Sequence, residues 1–84
     1  MTHVPHELHE EFPNAAEALH ALKMANAHFK TLAERYEAIN HQVFRIESEL
    51  DAASDDVLEK LKKERLQLKD DIAGMIREHG HTDA

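Results

Sequence analysis

The sequence predicts an all-α protein: an antiparallel helical hairpin, coiled-coil-like, with a short N-terminal helical extension. Two apolar stripes and the interval between them carry that prediction. Ala15, Ala18, Leu22, Ala25, Phe29, Leu32, Tyr36, Ile39, Val43, Ile46 and Leu50 recur alternately three and four residues apart. That spacing keeps side chains on one face of a helix laid along another helix. Leu58, Leu61, Arg65, Leu68, Ile72 and Met75 repeat the pattern after a short gap. A connection this short makes the two helices antiparallel neighbours.

The elements follow in order. Val4, Leu8 and Phe12 recur every four residues, and Pro5 suits a first helical turn, so a short helix is expected from Pro5 to Glu11. Pro13 then interrupts backbone bonding. Asn14 is the expected cap of the next helix, with Glu17 reaching back. Around Met24-Ala25-Asn26-Ala27 two readings stand side by side. The stripe stays in phase through Ala25 and Phe29, as in one continuous helix, yet Asn26 is itself a good cap. A kink or break near Asn26 is expected. Ser54 followed by Asp55 and Asp56 signals a second helix start: a hydroxyl cap, then carboxylates in the positive first turn. Gly80 reads as its left-handed stop. One helical domain, 1–84, is thus laid out as an N-terminal segment (1–13), a first long helix (14–50), a second helix (54–79) and a frayed tail (80–84).

Pairing outward from the turn sets Leu50 beside Leu58, Ile46 beside Leu61, Ile39 beside Leu68, Tyr36 beside Ile72 and Leu32 beside Met75. The expected interaction seam is Phe29, Leu32, Tyr36, Ile39, Val43, Ile46, Leu50, Leu58, Leu61, Arg65, Leu68, Ile72 and Met75. Arg65 interrupts the second stripe and would lie near Asn40, as a register pin or, less favoured, an anchor for an acidic partner. Residues 14–25 outrun the second helix, so they must fold back, project or meet another chain. Leu19, Leu66 and Ile76 fall off the seam and would stay wet in a monomer; a dimer would cover them.

Composition excludes more than it identifies. There is no cysteine, so neither disulfides nor thiolate metal sites can form, which fits a reducing compartment. The net charge is −7, and residues 1–53 and 54–84 carry −5 and −2. Phosphate neutralisation and attraction to anionic lipid both need clustered cations, so neither nucleic acid nor a membrane is an expected partner. The opening Met-Thr-His-Val-Pro-His-Glu has neither a basic region nor an apolar run, so no signal peptide and a cytoplasmic location are expected. An enzyme is not expected: no cysteine nucleophile, glycine-rich phosphate loop or HExxH pattern is present, and adjacent carboxylates such as Asp70 and Asp71 diverge on a helix.

Eight histidines are many for 84 residues. His3, His6 and His9 share roughly one helical face, a weak candidate metal set, because a spacing of three drifts around the helix. No metal site and no cofactor is expected. Protonating all eight would move the formal charge from −7 to about +1, so association could change between pH 7 and 5.5.

The stretch Asn26-Ala27-His28-Phe29, then Leu32, Tyr36, Asn40 and Arg45-Ile46-Glu47, resembles the YdcH-like family of small bacterial proteins. So does Ser54-Asp55 through Leu58, Leu61-Lys62-Lys63-Glu64-Arg65-Leu66, Leu68-Lys69-Asp70 and Ile72. The resemblance covers roughly residues 6 to 78. It implies a helical hairpin or coiled coil in the bacterial cytoplasm, of unknown function, with no catalytic residue to transfer. It also favours a break at Asn26. The expected role is a protein–protein interaction module whose partner is a second copy of itself or another protein. The alternative is a metal- or pH-responsive protein using its histidine-rich ends.

Overall fold

A computed structural model of the chain describes residues 4–82, with side chains described through residue 80. Four helices follow one another: α1 Leu8–Glu11, α2 Ala16–Ala25, α3 Ala27–Glu47 and α4 Asp55–Thr82. No strand occurs among the described residues. The hairpin is α3 against α4. Its direction and register are fixed by contacts that run oppositely along the two chains: Lys62 with Glu47 at 3.0 Å and Arg65 with Asn40 at 3.0 Å. Farther from the turn, Met75 and Leu32 line one groove. The long axis of the molecule, 46 Å, is close to the length of α4 alone, about 42 Å at 1.5 Å per residue.

The break falls at Asn26. Its backbone is extended (φ −130°, ψ 108°), so helical bonding stops for one residue. The same residue serves both neighbours. Its N–H donates to the Leu22 carbonyl at 2.9 Å and closes α2, while its side-chain oxygen accepts from the Phe29 N–H at 3.0 Å and opens α3. The bend lets α2 fold back onto both α3 and α4. Leu19 is therefore buried rather than wet, and Leu22 is buried beside it. The Lys23–Glu37 pair, 3.2 Å, ties α2 to α3 at the surface.

Other boundaries differ from the sequence reading. Asn14 does not cap α2: the N-cap is Ala15, with no side-chain bond, because the Ala15 N–H turns back to the Phe12 carbonyl at 3.1 Å and the helix starts one residue later. Nor does α3 reach Leu50. Glu49 adopts a left-handed backbone (φ 62°), and two bonds close the end: Glu49 N–H to Ile46 at 3.1 Å and Leu50 N–H to Arg45 at 2.8 Å. This is a Schellman termination with glutamate in the place glycine usually fills. Arg45 reinforces it by donating to both carboxylate oxygens of Asp51, at 2.8 and 3.1 Å. Ser54 does cap α4, its hydroxyl accepting from the Val57 N–H at 3.3 Å. Gly80 does not stop α4, which runs on to Thr82; no glycine takes a positive φ.

The N-terminal segment is not helical from Pro5. His6 is left-handed (φ 64°) and Glu7 is extended, so only Leu8–Glu11 coils. Leu8 nonetheless joins the core with Leu19, Leu22, Phe29, Ala33, Tyr36, Ile39, Val43, Leu68 and Ile72. No helix among the described residues is long and apolar enough to cross a membrane.

Candidate functional site

A separation of four residues sets Tyr36 and Asn40 one turn apart on the side of α3 that meets α4. Both are almost fully buried, at 1% exposure each. A buried polar atom must find a partner, and here the partners come from the N-terminal segment. The Tyr36 hydroxyl donates to the His6 carbonyl at 2.6 Å, and Asn40 Nδ2 donates to the Pro5 carbonyl at 2.9 Å. On its other side, Asn40 Oδ1 accepts from Arg65 Nη1 at 3.0 Å. Asn40 thus bridges the backbone turn at Pro5 and His6 to a guanidinium on α4. No buried side-chain nitrogen or oxygen among the described residues lacks a partner.

Ionic contacts extend this clasp. Glu11 meets Lys69 at 2.8 Å and His6 Nδ1 at 3.6 Å, and His41 Nε2 lies 3.5 Å from Glu7. The Lys69 hydrogen bond holds the Glu11 carboxyl below its ordinary range despite an opposing desolvation. Burial, with the nearby Glu11 and Glu7 charges, pushes the Tyr36 phenol up to about 12, although the Arg65 charge acts the other way.

The seam residues fall into three groups. Phe29, Tyr36, Ile39, Val43, Leu68 and Ile72 are buried. Leu32, Ile46, Leu58, Leu61, Arg65 and Met75 are half-buried. Leu50 does not belong to the seam: the turn at Glu49 swings it outward, to 61% exposure. Ile76 packs against the core from its edge, and Leu66 stays exposed. A groove of about 700 Å³ runs along the α3–α4 seam past His28, Leu32, Gly74 and Met75, and no residue before α3 lines it.

Of the proposed histidine set, His3 lies outside the described residues, and His6 and His9 are exposed. Among the described residues no three histidine or carboxylate groups lie close enough to hold a metal ion. Sequence reasoning missed the clasp itself. One signal was available: a tyrosine at a seam position carries a hydroxyl that needs a partner when buried. Nothing in the pattern named that partner, because it is a backbone carbonyl.

No curated protein and no solved structure matches the chain. One family model does, that of the protein of unknown function DUF465, over residues 29–76, which is most of the hairpin from Phe29 to Ile76. The match takes in Tyr36, Asn40 and Arg65 but neither α2 nor the segment they clasp. The YdcH-like resemblance points the same way, and the chain belongs to the DUF465 family of proteins of unknown function.

Proposed function

We propose that this chain is a non-enzymatic helical interaction module that pairs with a second copy of itself or with a partner helix. The observation that carries the reading is the uneven covering of the hairpin. α2 and the N-terminal segment pack on the hairpin, while the groove past Leu32 and Met75 has walls from α3 and α4 alone. Toward the turn, Ile46, Leu58 and Leu61 are half-buried and Val57 is exposed. Apolar surface in that position gains free energy when another helix covers it, at about 25 cal/mol per Å² removed from water. A reducing, cytoplasmic setting goes with this reading, since the chain has no cysteine.

The test is solution mass by light scattering over a wide concentration range. Twice the monomer mass is expected, falling to monomer in Met75→Glu with helix content unchanged. A monomer at every concentration, with no helix peptide binding along the Leu32–Met75 groove by NMR, would sink the proposal.

A second reading, pH response, has one observation in its favour. His6–Glu11 and His41–Glu7 are ion pairs only when the histidines are protonated, and both fasten the N-terminal segment. Its test is solution mass and amide exchange of residues 4–11 between pH 7 and 5.5. Flat results in both would remove it.

A further inference from the structure

A second concavity, about 290 Å³, opens beside the clasp and is lined by His6, Glu11, Tyr36, Lys62, Arg65, Leu66 and Lys69. Its charges do not balance. Lys69 is met by Glu11 at 2.8 Å and Lys62 by Glu47 at 3.0 Å. Arg65 is met only by the neutral Asn40 and has no carboxylate within 4.0 Å among the described residues. A guanidinium carries five N–H donors in a planar fork, and a half-buried one is stabilised by a counter-anion. One such donor is committed to Asn40. Glu11, although on the same cavity wall, gives its Oε1 to Lys69 and makes no ion pair with Arg65.

We propose that this cavity binds one carboxylate, carried on a short apolar stem, with Arg65 as its ionic partner. The surplus of a single positive charge suits a monoanionic carboxylate better than a phosphate dianion, and the planar fork matches carboxylate geometry. Leu66, 58% exposed at the cavity wall, offers the stem an apolar contact. The carboxylate comes either from a free small acid or from an acidic side chain of another protein. This site does not depend on the pairing groove, which draws on other residues of α3 and α4.

The experiment follows the Arg65 Nε–H and Leu66 amide NMR signals of the full chain during titration with butyrate. Parallel titrations use an acetylated oligoglutamate peptide, phosphate, and chloride at matched ionic strength. Saturable shifts with butyrate and not with chloride are expected, with a dissociation constant on the order of millimolar. Peptide affinity above that of butyrate assigns the source to a protein side chain; equal or weaker affinity assigns it to a free acid. R65Q should weaken butyrate binding about tenfold or more, and the exposed-lysine control K63Q should not. The site is overturned by shifts that chloride reproduces, by tighter binding of phosphate, or by an unchanged response in folded R65Q. If R65Q fails to fold, the butyrate-against-chloride comparison on the unaltered chain decides alone.

Discussion

The Tyr36 hydroxyl donates to the His6 backbone carbonyl at 2.6 Å, across thirty positions of sequence. This bond and its neighbour from Asn40 fasten a non-helical segment onto a helical hairpin without reading any side chain of that segment. Tyr36→Phe keeps the ring and its packing and removes only the donor. It should cost about 1 kcal/mol. The loss should be local, seen as faster amide exchange in residues 4–11 while exchange in the middle of α3 and α4 is unchanged.

Tyr36 is the chain's sole tyrosine, so a spectrophotometric titration reads it alone. The folded phenol is pushed from 10.0 up to about 12. A raised value means that the folded state holds the proton more tightly. The contribution to stability is complete below pH 10 and is lost as pH rises from 10 toward 12. Phenolate absorbance should rise near pH 12 in the native protein and near pH 10 in denaturant. A native midpoint at 10 would show that the hydroxyl is neither buried nor bonded.

Asn40 serves two partners at once, so its replacements separate them. Asn40→Ala removes both bonds and should cost about 2–3 kcal/mol, more than Tyr36→Phe, because a buried carbonyl and a guanidinium both lose a partner. Asn40→Asp keeps an acceptor for Arg65 and loses the donor to Pro5. Amide exchange should then show residues 4–11 released while α3 stays docked on α4. Equal protection of both regions in Asn40→Asp would contradict the bridge.

Glu11 ties α1 to α4 through Lys69, which holds its carboxyl below the usual 4.5. A depressed carboxyl contributes stability that is present above pH 4.5 and lost as pH falls through the folded value. Acid should therefore loosen the N-terminal segment, and Lys69→Gln should flatten that dependence. The readout is amide exchange of residues 8–11 on either side of pH 4.5.

At the α2–α3 junction, Asn26→Ala removes the oxygen that accepts from Phe29 and should cost about 1 kcal/mol, whereas Asn26→Asp keeps an acceptor and should be near neutral. Thermal unfolding of the two variants side by side distinguishes them.

Much of the fold was legible because helix periodicity is a local signal. The stripes gave the two hairpin helices and their antiparallel register, and the Ser54 cap and the break at Asn26 rest on side chains within three residues of the amides they serve. The Arg65–Asn40 pairing followed from that register. The early end of α3 was not legible, since Glu49 is a poor left-handed residue and Arg45 must reach Asp51 to support it. The same turn is what removes Leu50 from the seam.

The sequence by itself determined what depends on neighbours three and four residues away: helix, stripe, cap and the direction of the hairpin. Only the tertiary structure decided where α2 lies, why Leu19 is buried, and that Pro5 and His6 present carbonyls to Asn40 and Tyr36. The physical reason is that every residue carries the same carbonyl. A side chain that recognises backbone leaves no mark on the sequence of the segment it holds, and that segment is placed only when the whole chain closes around it.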